Sequence, residues 1–562
     1  MTVYSLRALQ VALFDLVAHT FNLDPNQAIP GITLHLLDAS QAAHGDLATN
    51  AAMVLARQLK QSPRLIADTL CQRLMSCKDD ERSPLYAVAN ASVAGPGFIN
   101  IALTPAAWAH FAEQLASNAG SFVQKEHQTP SSSYLIEFVS ANPTGPLHLG
   151  HGRNGIVGDV LRRVLSFCGH QVQAEFYIND AGVQMEKMGH SLKIRCQQAA
   201  GQVVEMPEDG YQGEYMIELA QQCINEHGAD VCEHNVSFFT DYAYQILLKQ
   251  QKADLEDYRI SFDSWYSERT LHESGAIQEA LATLQERDYL YEKDGALWFK
   301  ATEFGDDKDR VIRKQDGSLS YIAADIAYHT DKFERGITHL INILGQDHHG
   351  YVMRLKGTMQ ALGYDVTRLT ALLTQLVSLK KGTVPVRMSK RAGTFTSLRD
   401  LVDTVGVDAA RFFFLHKKVE SHLEFDIETA LKKTQENPVF YLQYAYVRTN
   451  SLLNKAKESG ITVPVATDYD GFMFDENERI VLKKALNLNQ ILHSIEHSYA
   501  THLLATYALE MAQTFHAFYT NNKIIDPHAE ETSQRRLALV LVVQQVLGLV
   551  HDLLGLTRQE RM

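Results

Sequence analysis

A predicted strand, a Pro/Gly turn and a predicted helix follow one another between residues 134 and 165. The strand is an apolar run over 134–139, and the turn contains Pro143, Gly145 and Pro146. The helix carries apolar residues at helical spacing, namely Ile156, Val157, Val160, Leu161, Val164 and Leu165. Free backbone N–H groups and the helix dipole make such a helix start favourable for phosphate. The segment therefore predicts a phosphate site where the strand turns into the helix.

Two histidines stand on the first turn of this helix. His148 and His151 are three residues apart, so both imidazoles can donate to a phosphate in its transition state. Taken alone, a His-x-x-His pair is more often two surface side chains, because so short a motif occurs by chance. The phosphate interpretation needs support from elsewhere in the chain.

A basic loop motif gives that support. Residues 387–393 read Arg-Met-Ser-Lys-Arg-Ala-Gly and follow a short β-like segment over 383–386. Ser389 and Lys390 on a glycine-containing loop suit a mobile clamp for pyrophosphate, a leaving group that needs a movable cation. The alternative is a solvated basic loop. The order of the two motifs is the one expected for the two halves of a split nucleotide-binding fold.

The 562-residue chain is long enough for several domains. We expect a small N-terminal α/β domain over 1–116 and a linker over 117–133. Alternating strands and helices over 134–400 predict a Rossmann-like domain with a mostly parallel sheet, interrupted by a helical insertion at about 190–300. Amphipathic helices dominate 401–562, which predicts an all-α bundle. The predicted fold class is therefore α/β with a C-terminal helical domain.

Composition and charge indicate the cellular compartment and limit the kind of nucleic-acid-binding surface that is expected. The six cysteines form no Cys-x-x-Cys pair, which argues against a zinc site or disulfide framework and fits a reducing cytoplasm. The apolar stretch 537–556 is interrupted by polar residues, so a buried helix is expected rather than a membrane span. No secretory signal is expected at the N-terminus. The net charge of −14 confines any nucleic-acid-binding surface to a local patch.

The two motifs resemble the two signatures of class I aminoacyl-tRNA synthetases. The chain as a whole resembles one bacterial-type family of that class, the arginyl-tRNA synthetases. The segments that carry this resemblance are 137–146, 179–182, 262–265, 325–329, 345–351, 408–411 and 437–441. Two positions depart from the family pattern: Arg387 stands where the class has lysine, and Tyr446 stands where many relatives have histidine.

The resemblance implies an activity and a set of site residues. Arginine would be activated with ATP and Mg²⁺ to arginyl-adenylate and transferred to the 2′-hydroxyl of the terminal adenosine of tRNA(Arg). The implied catalytic residues are His148, His151, Ser389 and Lys390. The implied ATP-binding residues are His148, Gly150, His151, Gly345, Met388 and Lys390. No protein-held metal is expected, and the family default is a monomer that needs bound tRNA before it activates arginine.

Charge supports the choice of substrate. A guanidinium is a planar cation with five N–H donors, so its pocket needs carboxylates. The resemblance implies that Glu137, Asn142, Tyr321, Asp325 and Gln346 form the arginine pocket. Without the family resemblance, the simpler interpretation is that Glu137 ends a strand in solvent and Asp325 caps a helix. Phe98 and Asn100 suit contact with a loop base of tRNA, and Tyr446 and Arg448 suit the anticodon side. Aromatic residues at this spacing are also common in cores.

Three other functions are compatible with parts of the sequence. A small-molecule adenylate-forming ligase has the same nucleotide fold but does not need the two flanking domains. Cysteinyl-tRNA synthetase shares the plan but uses a zinc pocket, for which the cysteine pattern is unsuitable. A non-catalytic RNA-binding paralogue is expected to have degenerate signatures, whereas His148, His151, Ser389 and Lys390 are intact.

Overall fold

The structure is a computed structural model that describes most of the chain in two compact units. It describes residues 5–24, 30–37, 41, 44–127, 130–386, 397–465 and 469–562. The first unit contains residues 1–129, 433–499 and 503–562. The second contains residues 130–432 together with 500–502.

The N-terminal part of the first unit is a small α/β fold. Its elements are α1 (Leu6–Phe21), β1 (Leu34–Leu36), β2 (Leu47–Thr49), α2 (Ala51–Leu59), α3 (Pro63–Cys77), β3 (Val88–Ala94), β4 (Phe98–Leu103) and α4 (Pro105–Glu126). The strands form an antiparallel sheet in the order β1-β2-β4-β3. Ser62 and Thr104 cap α3 and α4, and a proline follows each cap, where a helix does not need the N–H group.

The second unit is built around a parallel sheet. Its elements are β5 (Ser133–Glu137), α5 (Leu149–Phe167), β6 (Gln171–Ile178), α6 (Val183–Ala199), α7 (Glu214–His227), α8 (Val236–Asp257), β7 (Ser264–Ser267), α9 (Glu268–Ser274), α10 (Ala276–Glu286), β8 (Leu290–Lys293), β9 (Ala296–Phe299), β10 (Arg310–Arg313), α11 (Tyr321–Glu334), β11 (His339–Gly345), α12 (His349–Ala361), β12 (Leu369–Thr374), β13 (Val377–Lys381), β14 (Val384–Val386), α13 (Leu398–Val405), α14 (Val407–Leu415), β15 (Leu423–Asp426) and α15 (Ile427–Leu431).

Five of these strands form the central sheet in the order β12-β11-β5-β6-β7, and every neighbouring pair is parallel. The carboxyl ends of all five strands therefore lie at one edge, where ligands bind in open α/β sheets. Two three-stranded sheets, β10-β9-β8 and β14-β13-β15, accompany it. Helices α6, α7 and α8 share a hydrophobic core of their own, which contains Met188, Leu192, Met216 and Phe239.

The C-terminal part of the first unit is helical. Its elements are α16 (Pro438–Glu458), α17 (Glu476–Leu486), α18 (Leu488–Ser498), α19 (His502–Asn521) and α20 (Glu530–Leu554). Helix α20 packs against α4, α16 and α17. Among the described residues it is the one helix long and apolar enough to cross a membrane, and 72% of its most apolar stretch is buried inside the protein.

The predicted fold class is confirmed, but three predicted boundaries differ from the structure. The expected linker over 117–133 is helical as far as Glu126, because Phe122 and Val123 are buried on α4. Strand β7 of the central sheet falls inside the predicted helical insertion at 190–300. Strand β15 pairs with β13, so the second unit continues past the predicted boundary at 400.

Candidate active site

The backbone is strained where β5 ends. Val139 and Ser140 have φ values of 67° and 40°, a region that β-branched residues rarely occupy. The Val139 N–H donates to Asn154 Oδ1 at 2.7 Å, and Asn154 Nδ2 donates to the Ile343 carbonyl at 2.8 Å. One buried amide on α5 therefore joins the carboxyl ends of β5 and β11. Strain held by such contacts is common at functional sites.

Replacing Asn154 with alanine is expected to lower the free energy of unfolding by about 3 kcal/mol. The change leaves a buried N–H and a buried carbonyl without their partner, and each such loss costs about 1–3 kcal/mol. Urea denaturation measures this change. Asn225→Ala on the exposed face of α7 is the matched control and is expected to stay within about 0.5 kcal/mol of the parent. Equal stabilities for the two variants would contradict the bridging role of Asn154.

The two histidines of the first motif form a stacked pair at the start of α5. Their ring centroids are 3.5 Å apart with a 16° interplanar angle. The His148 N–H donates to His151 Nδ1 at 3.2 Å, and the His151 N–H donates to His148 Nδ1 at 3.3 Å. Because each Nδ1 accepts a backbone N–H, the neutral rings carry their protons on Nε2. Each ring therefore carries an Nε2–H donor.

Burial keeps these rings neutral at pH 7. Burial, with a smaller contribution from the neighbouring His148, lowers the pKa of His151 to about 3. Burial also lowers the pKa of His148. A Cβ atom at Gly150 would lie 2.9 Å from Cε1 and 3.0 Å from Nδ1 of His148. A larger residue at position 150 would collide with the His148 ring, so glycine is needed for the ring to occupy this position.

A cavity of about 860 Å³ opens at the carboxyl edge of the sheet, beside the histidine pair. It brings together residues that lie far apart in the sequence. The predicted site residues that line it are Glu137, Asn142, His148, Gly150, His151, Tyr321, Asp325, Gly345 and Gln346. Asn142 also donates to Gln184 Oε1 at 2.9 Å, and Tyr321 is 69% exposed at the rim.

Among the residues that the structure describes, carboxylates outnumber the cations at this cavity. Glu137 is paired with the buried Lys332 at 2.6 Å and accepts from Ser140 at 2.9 Å. Asp325 and Glu268 also line the cavity. Burial and the negative charge of Glu137 raise the pKa of Asp325 to about 7, although a hydrogen bond from Tyr351 opposes the shift. Burial likewise raises the pKa of Glu268. A bound cation would relieve this repulsion.

A chain of buried side chains holds Lys332 and Asp325 in place. Lys332 Nζ donates to Asn342 Oδ1 at 3.1 Å, and Asn342 Nδ2 donates to His329 Nε2 at 2.7 Å. His329 Nδ1 then donates to the Asp325 carbonyl at 2.9 Å. Burial and the Lys332 charge lower the pKa of His329 well below its usual value, so the neutral ring suits this role.

The remaining predicted site residues lie elsewhere. Met388, Ser389 and Lys390 fall outside the described residues. In the first unit, Phe98 is half-buried on β4, and Asn100 on the same strand is only 8% exposed, which leaves little of its amide for a base.

The predicted anticodon-side residues both lie on α16. Tyr446 packs beside His551 at 5.5 Å between ring centroids. The Arg448 guanidinium lies between the rings of Tyr444 and Tyr519, at 4.5 and 4.3 Å. Arg448 thus belongs to a mixed aromatic and cationic surface.

Three family models match consecutive parts of the chain. The arginyl tRNA synthetase N terminal domain matches residues 9–103, and the catalytic domain of class I (R) tRNA synthetases matches residues 113–434. The DALR anticodon binding domain matches residues 442–562. The chain belongs to the arginyl-tRNA synthetase family. The resemblance found in the sequence is confirmed, and a small-molecule ligase without RNA does not account for the anticodon-binding domain.

Individual relatives agree with the family models. Arginine–tRNA ligase 1 of Halalkalibacterium halodurans is 42% identical over 546 residues, which cover 96% of each chain. Arginine–tRNA ligase of Geobacillus kaustophilus is 42% identical over 532 residues, which cover 92% of this chain and 93% of the relative. The solved Thermus thermophilus arginyl-tRNA synthetase has a TM-score of 0.73 at 20% identity and covers 99% of this chain and 100% of its own. At 20% identity, the similarity to the Thermus thermophilus structure shows a shared fold.

Several residues of this arginyl-tRNA synthetase site could not be found by sequence reasoning. Lys332 and Asn154 act through partners far along the chain, and Glu268 begins a helix with no motif around it. Tyr177 also lines the cavity and lies beside Glu268. Tyr351 is the last residue of segment 345–351, one of the segments on which the family resemblance rests. That resemblance is the sequence signal by which Tyr351 could have been found.

Proposed function

We propose that the cavity at the sheet edge binds arginine and ATP side by side and forms arginyl-adenylate there. One observation carries this proposal: among the described residues, three carboxylates that are buried or half-buried (Glu137, Glu268 and Asp325) and two neutral imidazoles that carry Nε2–H donors line the same cavity. The carboxylates suit a guanidinium, and the imidazoles suit phosphate oxygens. In the first step the arginine carboxylate attacks the α-phosphorus of ATP, the bond to the β-phosphate breaks, and pyrophosphate leaves.

The guanidinium end is selected by charge. Asp325 is the carboxylate whose ionised form gains most from a bound cation, and Glu137 and Tyr321 complete the guanidinium site. Asn142 and Gln346 hold the amino and carboxylate end. Lysine is rejected because an ammonium cannot form the paired hydrogen bonds of a guanidinium. A pocket built on polar pairs discriminates by roughly 10⁴–10⁵ against substrates that leave those pairs unmade.

The phosphate end is stabilised by donors that need no rearrangement. His148 and His151 donate Nε2–H to α-phosphate oxygens as charge develops in the transition state. Gly150 and Gly345 leave space for the adenosine. We assign Mg²⁺ to the ATP substrate, with which it would enter the site and offset phosphate charge. Lys390, together with its sequence neighbours Ser389 and Met388, stabilises the charge on the leaving pyrophosphate.

Replacing Lys390 with alanine is expected to lower kcat by about 10²–10³-fold, because its charge acts on the transition state. The KM for arginine is expected to change little, since a group that acts only in the transition state does not bind the ground state. Steady-state pyrophosphate exchange measures both constants. Arg391→Ala, which removes the neighbouring positive charge in the sequence, is the matched control. Equal losses in kcat and arginine affinity would contradict the role of Lys390.

The second step transfers arginine to tRNA. The 2′-hydroxyl of the terminal adenosine attacks the adenylate carbonyl, and AMP leaves. Phe98 provides a contact near one end of the chain, where Asn100 is too buried to contribute much, and Tyr446 with Arg448 provides contacts near the other end. The rings that hold the Arg448 guanidinium, Tyr444 and Tyr519, can stack on a base, and the guanidinium gives this surface its positive charge. In this proposal the enzyme works as a cytoplasmic monomer.

Arginine affinity is expected to fall about tenfold between pH 8 and pH 6. The guanidinium pairs with ionised Asp325, whose pKa in the free enzyme is about 7. The carboxyl is mostly ionised at pH 8 and mostly protonated at pH 6, so the ionised fraction changes about tenfold. Calorimetric titration with arginine measures the affinity, and buffers of different ionisation enthalpy reveal a proton released on binding near pH 6. A flat profile would exclude Asp325 as the partner.

Pyrophosphate exchange tests the proposed function as a whole. ATP exchange is measured with arginine, lysine or cysteine, each with and without tRNA. Exchange with arginine alone among the three amino acids supports the proposal, and dependence on tRNA would establish coupling between RNA binding and activation. Folded protein that binds tRNA but catalyses no exchange with any amino acid would identify a non-catalytic paralogue.

A further inference from the structure

A cluster of two histidines and a glutamate lies in the first unit, outside the proposed active site. His127 follows the last residue of α4, and His493 and Glu496 lie three residues apart on α18. His127 Nε2 is 2.8 Å from Glu496 Oε2, and His493 Nδ1 is 3.4 Å from the same oxygen. One possible ligand atom from each residue lies within 4.8 Å of the other two.

The hydrogen bond on the far side of the His127 ring defines which nitrogen faces the cluster. His127 Nδ1 lies 3.3 Å from Asn489 Oδ1. An amide oxygen only accepts, so Nδ1 carries a proton, and the Nε2 atom of a neutral ring presents a lone pair. That lone pair points at a carboxylate oxygen 2.8 Å away. Two acceptors at this distance need either a second proton on the ring or a cation between them.

We propose that His127, His493 and Glu496 bind a divalent transition-metal ion, with Zn²⁺ the best match. Two imidazole nitrogens and one carboxylate oxygen form a ligand set that zinc favours. In a tetrahedral zinc site the ligand atoms lie roughly 3.3 Å apart, close to the separations of 2.8 and 3.4 Å found here. Asn489 then orients His127 in the way that partner groups orient zinc-bound histidines.

The surroundings leave both a coordination position and an entry path. We assign the fourth position of the tetrahedron to water. His497 does not suit this position, because its Nδ1 donates to the His493 carbonyl at 2.9 Å and lies 4.0 Å from Glu496 Oε2. The side chains of His127 and Glu496 are 1% and 6% exposed, whereas that of His493 is 57% exposed. An ion can therefore enter from the His493 side and be held by the two buried ligands.

Bound metal would fasten the end of α4 to α18, which are contributed by opposite ends of the chain. Metal that binds the folded form stabilises it by mass action. The effect would be independent of arginine and ATP, because none of their proposed ligands belongs to the cluster. A sequence search for cysteine pairs does not detect such a site.

Zinc titration of the full-length protein tests this inference. Chelator-treated protein competes for Zn²⁺ against a chromophoric chelator, and metal analysis after desalting gives the stoichiometry. We expect one saturable site per chain, a rise in melting temperature with Zn²⁺, and no such rise with Mg²⁺. His493→Ala is expected to weaken zinc binding at least tenfold and abolish the thermal shift, without altering the melting temperature of the metal-free protein, because His493 is exposed.

Two further variants make the result decisive. Glu496→Gln removes the anionic ligand and is expected to weaken zinc binding at least tenfold as well. His528→Ala changes an exposed histidine of the same unit and is expected to bind zinc like the parent; the free cysteines are the same in all variants. Unchanged zinc affinity in both His493→Ala and Glu496→Gln, or no saturable binding in the parent, would overturn the proposal and leave an imidazolium–carboxylate ion pair.

Discussion

Replacing His148 with alanine is expected to lower kcat for arginine-dependent pyrophosphate exchange by about 10²–10³-fold. The variant loses an Nε2–H donor aimed at charge that develops in the transition state, and the loss of one such donor has that typical effect. It also loses the side chain that accepts the His151 N–H at 3.3 Å, a helix cap worth about 0.5–2 kcal/mol of stability. Stopped-time exchange assays and thermal melting measure the two effects.

His148→Asn separates catalysis from capping. An asparagine oxygen can accept the His151 N–H and is among the best helix caps, but its side chain is too short to place an N–H at the position of Nε2. This variant is expected to melt close to the parent and still to lose most of kcat. Near-parental kcat in His148→Asn would mean that His148 acts only by capping α5, and full activity in His148→Ala would remove it from the mechanism.

The histidine pair could be predicted from sequence because its geometry is local. A strand, a turn and a helix start fix where His148 and His151 stand relative to each other and to the free N–H groups of the helix. The capping hydrogen bonds between the two residues depend on a separation of three residues, which is visible in the sequence. The phosphate-facing half of the candidate site therefore needed no tertiary information.

The arginine half depends on the fold. Glu137 ends β5 and Gln346 follows β11, and these strands are neighbours in the sheet although far apart in the chain. Their convergence follows once a parallel sheet is assumed, but the choice among the many acidic residues came from the family resemblance. Lys332 and Glu268 could not be chosen, because their roles come from burial and contacts that no local pattern specifies.

The boundary errors have the same physical origin. Gly120, Pro130 and a run of serines predicted a linker, and the chain does depart from helical geometry at Asn118, where φ is −164°. Burial of Phe122 and Val123 nevertheless keeps α4 helical to Glu126. Tertiary packing outweighed local propensity here, as it also did for the short strand β15, which is stabilised by pairing with β13.

Replacing Asp325 with asparagine is expected to raise the KM for arginine by about 10–100-fold, because a charge-assisted hydrogen bond worth roughly 1.5–3 kcal/mol is lost.

The Asp325→Asn change is also expected to raise the melting temperature at pH 8. The pKa of this half-buried carboxyl is about 7 in the folded protein and close to 3.8 when unfolded. The folded state therefore binds more protons between these values, and stability is lost as pH rises toward 7. Asparagine removes that cost.

A higher KM for arginine together with a higher melting temperature would show that Asp325 serves arginine binding although its charge destabilises the folded protein. Asp331→Asn provides the control, because Asp331 lies on the same helix, is 39% exposed and pairs with Arg335 at the surface. It is expected to leave the arginine KM unchanged and to alter stability little, as surface ion pairs contribute little. An unchanged arginine KM in Asp325→Asn would place this carboxylate outside the pocket. A raised KM with a lower melting temperature would instead mean that Asp325 supports the fold, so that the lost affinity is indirect.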